Sequence, residues 1–208
     1  MPTFHVHLIR PTRYDEEGYP LQWWRSLVPS NSLACLVGVV EEAIARRALG
    51  DVEIRIHARD EIPADSDVDG MIAAARRGER LFVGLVGVQT NQYPRALDIA
   101  RRLRAENIPV CIGGFHVSGV LAMLKQPTPE LQEALDLGVS LFAGEAEDGR
   151  IDEVLRDAWA GALKPVYDFL KHAPNLAGAP VPINAQADIA RGVGQLHGRF
   201  AKWMLVSE

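Results

Sequence analysis

Three short strings carry the side chains in this sequence best suited to gripping a ligand: Gln89-Thr90-Asn91, Gly113-Gly114-Phe115-His116 and Gly144-Glu145-Ala146-Glu147. Neutral amides and hydroxyls bind amides, hydroxyls and phosphates without adding charge. Glycines let a flat or phosphate-bearing group lie against the main chain. Each string follows an apolar run that reads as a β-strand, and the strings lie roughly 20 to 30 residues apart, the repeat of strand–helix units in a parallel sheet. The carboxyl ends of such strands share one rim, so the three strings are expected to meet at one crevice.

Each string also has a plainer role. Gly113-Gly114 suits a tight strand-to-helix turn, Thr90 or Asn91 suits capping a helix that begins near Pro94, and Glu145 and Glu147 suit a helix start. Three polar strand ends on one rim tip the balance toward a ligand. Other chemistries find less support. His5 and His7 share a face of one strand and His57 ends the neighbouring strand, but no Cys or Asp partner stands at a familiar metal-ligand interval. His116 is the one histidine on the proposed rim. Neither G-x-x-x-x-G-K-[ST] nor G-x-G-x-x-G occurs, and no Ser-His-Asp set sits at a nucleophile elbow.

The elements that must position these strings are legible in the hydrophobic pattern. Phe4–Ile9 alternates as a first strand and ends at Pro11. A long polar and aromatic loop follows, with Tyr14, Tyr19, Trp23 and Trp24, a length usual for functional loops. Ser30-Asn31-Ser32 offers a cap for a helix from Leu33 to Leu49. Val52–Ile56 alternates as a second strand, and Pro63–Arg77 reads as a short helix. The unbroken apolar run Leu81–Val88 is expected of a central parallel strand. Arg95–Glu106 is an amphipathic helix, Ile108–Ile112 a buried strand, Leu131–Leu137 a helix, Val139–Ala143 a fifth strand and Asp148–Leu163 a closing helix. This order predicts an α/β, flavodoxin-like (Rossmann-like), doubly wound parallel sheet of five strands over residues 1–163. Residues 164–208 read as a proline-rich linker and a weakly structured tail.

Composition narrows the classes further. With 48% hydrophobic and 24% charged residues, the 208-residue chain suits a packed domain rather than a disordered one. A net charge of −5 argues against a nucleic-acid or anionic-membrane surface. No apolar run approaches the ~20 residues of a membrane span, and the amino terminus lacks the pattern of a secretion signal. Cys35 and Cys111 both lie in apolar runs, as core thiols of a reducing compartment do. A cytoplasmic protein is expected.

Taken with their flanks, Val86-Gly87-Val88-Gln89-Thr90-Asn91, Val110-Cys111-Ile112-Gly113-Gly114-Phe115-His116 and Gly144-Glu145-Ala146-Glu147 resemble the amino-terminal cobalamin-binding domain of radical SAM enzymes. The likeness runs from about residue 3 to 182. It takes in Pro165-Val166-Tyr167 and Asn175-Leu176-Ala177-Gly178-Ala179-Pro180-Val181-Pro182, which look like the linker before the catalytic barrel. The resemblance implies a corrinoid held on the carboxyl rim. Gln89, Thr90 and Asn91 would line the pocket beneath the corrin, with Phe115 and His116 on the rim beside it. Gly113 and Gly114 would make room for the nucleotide tail, and Gly144 with Glu145 would border it.

Two departures shape what is implied. The D-x-H-x-x-G string whose histidine ligates cobalt in many cobalamin domains is absent, as it commonly is in the radical SAM branch. The C-x-x-x-C-x-x-C motif that holds the [4Fe–4S] cluster is also absent, and Cys35 and Cys111 do not replace it. The resemblance therefore implies a cobalamin-binding fragment or module with no cluster of its own, partnered by a radical SAM catalytic domain. A flavin- or nucleotide-binding domain is the rival, but Arg10-Pro11-Thr12-Arg13-Tyr14 makes a poor phosphate loop. A structural interaction module is the third reading, favoured if the tail fills the rim.

Overall fold

The computed structural model describes residues 1–21, 30–61 and 65–183. Readings that fall on Trp23, Trp24, Pro63 and residues 184–208 lie outside them. The elements run β1 (Thr3–Arg10), α1 (Asn31–Ala45), β2 (Glu53–Asp60), α2 (Val68–Arg76), β3 (Arg80–Leu85), a 3₁₀ turn (Thr90–Gln92), α3 (Tyr93–Ala105), β4 (Val110–Gly113), α4 (Phe115–Leu124), α5 (Pro129–Asp136), β5 (Ser140–Ala143), α6 (Arg150–Ala160) and β6 (Val166–Asp168).

All neighbouring strands pair in parallel, in the order β2-β1-β3-β4-β5-β6. This is the doubly wound order of flavodoxin-like sheets, and the strand order reverses between β1 and β3. Alternation along each strand sends side chains to two cores. Phe4, Val6, Leu8 and Phe82 face α1 and α6 in one of them. Leu81, Val83, Leu85 and Ile112 face α2, α3 and α5 in the other. Each fully buried side chain of this size contributes about 1.5–3 kcal/mol, so the central strands anchor the rim whose loops they carry. Ser30 Oγ accepts a hydrogen bond of 3.3 Å from Leu33 N and caps α1, as the sequence leads one to expect.

The strand β2 runs on to Asp60, past the expected end at Ile56, so His57 lies within it rather than at its end. Two further elements depart from the sequence reading. The sheet has six strands rather than five, because Val166–Asp168 pairs with β5 inside the stretch read as linker. Three residues between prolines show no periodicity, yet Tyr167 is buried and its hydroxyl donates to Asp157 Oδ2 at 2.8 Å. The second is α4. Its sequence, FHVSGVLAML, is apolar on every side and so lacks the one-sided pattern by which a surface helix is recognised. Beyond β6 the chain stays on the domain: Ile183 N donates to Ala34 O at 2.9 Å on α1. Among the described residues, no helix is long and apolar enough to cross a membrane.

Candidate functional site

At the carboxyl edge, beside the switch point, lies an open cleft of about 610 Å³ lined by Gln89, Thr90, Asn91 and Phe115. The first three are exposed at the start of the 3₁₀ turn that carries the chain from β3 into α3. Phe115 opens α4 and is 77% exposed, with its ring turned to solvent rather than into the core. Two of the three predicted strings thus meet at one cleft, which offers neutral hydrogen-bonding groups on one wall and an aromatic face on the other.

His116 lies beneath this surface. It is 6% exposed, with Nδ1 3.3 Å from Thr90 Oγ1 and its ring 4.5 Å from that of Tyr93. Nε2 sits 3.0 Å from Glu130 Oε1 but out of line for a hydrogen bond. The imidazole therefore braces Thr90 from below and is not presented at the rim. Tyr93 donates to Glu130 O at 3.2 Å, and burial, then the charges of Glu130 and Glu133, push its phenol above the ordinary range.

Two of the three rim glycines, Gly114 and Gly144, serve the protein's own packing. Gly114 takes φ +140°, and a Cβ placed on it would lie 2.2 Å from Val88 N. The space its missing side chain leaves is filled by the Gly87–Val88 backbone. Val88 N donates to Gly113 O, and His116 N donates to Val88 O, so the two rim turns are stitched together. A Cβ on Gly113 would meet Phe142 at an ordinary 3.4 Å. Gly144 packs on the Phe169 backbone and donates to Ser118 Oγ at 3.1 Å. Glu145 is exposed, with its carbonyl accepting from Arg150 Nη1. Gly113, Gly114, Gly144 and Glu145 are not among the residues that line the cleft.

Sequence reasoning passed over the residues that hold the cleft in shape. Gln92 is 5% exposed, and its Oε1 accepts from Gln89 N at 3.0 Å while its Nε2 donates to Pro11 O at 2.8 Å. One side chain thereby ties the loop after β1 to the loop after β3. Glu61 is fully buried, and its carboxylate accepts from Arg95 Nε at 3.0 Å and from Thr12 N at 3.0 Å. Desolvation would lower the pKa of Arg95, but hydrogen bonds to Glu61 and Tyr14 outweigh it and hold the guanidinium charged. Tyr14 donates to Asp98 Oδ2, and Leu21 N donates to Arg13 O. The described part of the loop after β1 is thus folded down onto α3, with the amides of Thr12, Asp15 and Leu21 bonded within the protein. The only forewarning was the polar residue Gln92 placed directly after Asn91.

Away from the rim, the sheet brings the three histidines of β1 and β2 together. His5 Nδ1 lies 2.9 Å from His57 Nε2, and the rings of His7 and His57 stack at 4.5 Å. Burial first, then the charges of His57, His5 and Arg59, lower the pKa of His7 to about 3. Among the described residues, no group of three or more His, Cys, Asp or Glu side chains is placed to hold a metal ion. Burial pushes the Cys111 thiol up to about 12, while Cys35 on α1 is half-buried and raised by desolvation and then by Glu147. Neither thiol has the lowered pKa of a reactive cysteine.

No family model, no curated protein and no solved structure matches the chain.

Proposed function

We propose that the carboxyl-edge cleft binds a corrinoid of the cobalamin type, without a protein histidine on cobalt. One observation carries the reading: on the carboxyl edge of a flavodoxin-like sheet, Gln89, Thr90 and Asn91 after β3 and Phe115 after β4 converge on one open cleft beside the switch point. The residues suit the group. A corrin presents a broad apolar face fringed with amides, matching an exposed aromatic ring set among amide and hydroxyl side chains. His116 is committed beneath Thr90, so the lower face of the ring would meet neutral groups.

In this reading Gln89, Thr90 and Asn91 hold the amide fringe, and Phe115 packs against the ring edge. Gly113 and Gly114 act through the backbone shape they give the rim, and Gly144 with Glu145 lies beyond the cleft wall. The corrinoid, when bound, supplies the cobalt-centred chemistry, and the chain binds and orients it. The partner this calls for is a radical SAM catalytic domain carrying the cluster thiolates that Cys35 and Cys111 do not provide.

A flavin or nucleotide finds less support. The loop after β1, where a phosphate would sit, has its Thr12 amide bound to Glu61 and its Leu21 amide bound to Arg13.

Titration with hydroxocobalamin, followed by visible spectra and by electron paramagnetic resonance of the cobalt(II) form, tests the proposal. Saturable binding is expected, weakened about tenfold by Phe115→Ala, the equivalent of ~1.4 kcal/mol. With histidines labelled by ¹⁵N, the cobalt(II) spectrum is expected to stay unchanged. A labelled-histidine splitting overturns the ligand claim. Absence of binding, or preferential binding of a flavin, overturns the whole reading.

A further inference from the structure

The two edges of the sheet are finished differently. At one edge β6 has three residues, too few to offer another strand a long ladder. At the other, β2 runs for eight residues and pairs with β1 in unbroken register from Glu53 to Asp60. It contains no proline, glycine or lysine, the residues that with bulges commonly guard an open edge. Among the described residues no strand pairs with the outer side of β2.

The backbone shows which groups that edge presents. Glu53 N donates to Pro2 O and Glu61 N donates to Arg10 O, so the odd-numbered residues of β2 turn their amides to β1. By the alternation of a strand, Ile54, Ile56 and Ala58 turn theirs outward. The side chains alternate as well. Ile54, Ile56 and Ala58 lie on the face that packs toward the α1 core, and Glu53, Arg55, His57 and Arg59 lie on the opposite face.

A second copy of the same strand fits this edge. Two copies related by a two-fold axis perpendicular to the sheet pair antiparallel and keep each face on its own side. With Ile56 opposite Ile56, Ile54 stands opposite Ala58, and each of these pairs exchanges two backbone hydrogen bonds. On the other face Glu53 then stands opposite Arg59, and Arg55 opposite His57. These are the positions between the bonded pairs, where opposing side chains come closest. Moving the axis one residue either way sets Arg55 opposite Arg55 or Arg59, like charges that oppose pairing. The charge pattern of β2 therefore favours one register. Within one copy Glu53 lies 2.9 Å from Arg55, and Arg59 3.3 Å from Asp67. Both are solvent-facing pairs that contribute little, so they leave Glu53 and Arg59 free to pair across the axis.

We infer that two copies of this chain associate through β2, antiparallel and centred on Ile56, to form one continuous sheet. This inference is independent of the corrinoid reading, because no residue of β2 lines the cleft.

Sedimentation equilibrium and amide hydrogen exchange of the full chain test it together. The chain is expected to dimerise reversibly, and the amides of Ile54, Ile56 and Ala58 to exchange more slowly as concentration rises. Arg59→Glu and Glu53→Arg each set like charges opposite one another at both ends of the paired strands. Each is expected to raise the dimer dissociation constant at least about tenfold. An equimolar mixture of the two variants restores opposite charges at both positions and is expected to recover the parent's affinity as a heterodimer. Both side chains face solvent, so the thermal midpoints are expected to stay near the parent's. A parent chain that stays monomeric at its highest soluble concentration overturns the inference. So does a dimer as tight in Arg59→Glu as in the parent, or a mixture no tighter than its components. Slow exchange at the three amides that is independent of concentration overturns it as well, since the edge would then be covered within one chain.

Discussion

The α-carbon of Gly114 faces the backbone of Val88 so closely that a Cβ there would lie 2.2 Å from Val88 N and 2.8 Å from Val88 O. The neighbouring glycine is unlike it, since a Cβ on Gly113 would make ordinary contact with Phe142. Gly114→Ala must both hold a side chain at φ +140° and push two rim turns apart. The expected loss is roughly 3 kcal/mol or more, a fall in thermal midpoint of roughly 10 °C. Gly113→Ala is expected to cost under about 1 kcal/mol. Thermal unfolding of the pair checks this, and equal effects would remove the distinction.

The same glycine shows what the sequence could and could not reveal. Gly113-Gly114 stood out because it closes a buried strand, but whether the vacated space holds a ligand or a neighbouring loop depends on Val88, a residue distant in the chain. The sheet itself was readable because Leu81–Val88 and Ile108–Ile112 are apolar throughout, a mark of strands covered on both faces. The strand β6 was not, since three residues are too few for a period. The helix α4 was not, since the exposed stripe of Phe115 and Met123 hides its amphipathicity. Gln89, Thr90, Asn91 and Phe115 could be picked out by type and place. Gln92, Glu61 and Arg95 could not, because their partners are settled only when the loops after β1 and β3 meet.

Glu61 and Arg95 form an ion pair in which the carboxylate is 1% exposed and the guanidinium 20%. Removing one member strands the other. Arg95→Leu is expected to destabilise the protein by roughly 3–5 kcal/mol, because Thr12 N alone remains to satisfy a buried charge. The double variant Glu61→Gln/Arg95→Leu is expected to recover part of that loss. Urea denaturation of the two variants checks the prediction, and a loss under about 1 kcal/mol for Arg95→Leu would show the carboxylate to be solvated.

The histidine stack on β1 and β2 gives the domain an acid-sensitive edge. Folded His7 takes up a proton only near pH 3, whereas an unfolded chain does so near the ordinary value of 6.5. Between these values the unfolded state binds more protons, so stability is complete above pH 6.5 and is lost as pH falls toward 3. His57, lowered by burial and then by His5, Arg59 and Arg55, adds in the same direction. From pH 6.5 down to roughly 4.5, above most carboxylate titrations, the thermal midpoint is expected to fall steadily. His7→Gln should flatten that slope. An unchanged slope in the variant would place the acid sensitivity elsewhere.

Gln92 bridges the two loops that frame the cleft, accepting from Gln89 N and donating to Pro11 O. Gln92→Leu keeps the volume but leaves both backbone groups without their partner, each worth about 1–3 kcal/mol. A total loss of roughly 2–4 kcal/mol is expected, together with faster hydrogen exchange at the Gln89 amide. Gln92→Glu separates the two bonds. It retains an acceptor for Gln89 N but removes the donor that Pro11 O needs, so exchange at Gln89 should stay slow while stability still falls. Asn91→Ala, at an exposed neighbour, should stay within about 0.5 kcal/mol. Because Gln92 touches the cleft only through the loops it holds, its Leu variant should weaken hydroxocobalamin binding by misplacing Gln89 and Thr90. If exchange at Gln89 is as slow in Gln92→Leu as in the parent, the bridge does not hold the rim and that expectation falls with it.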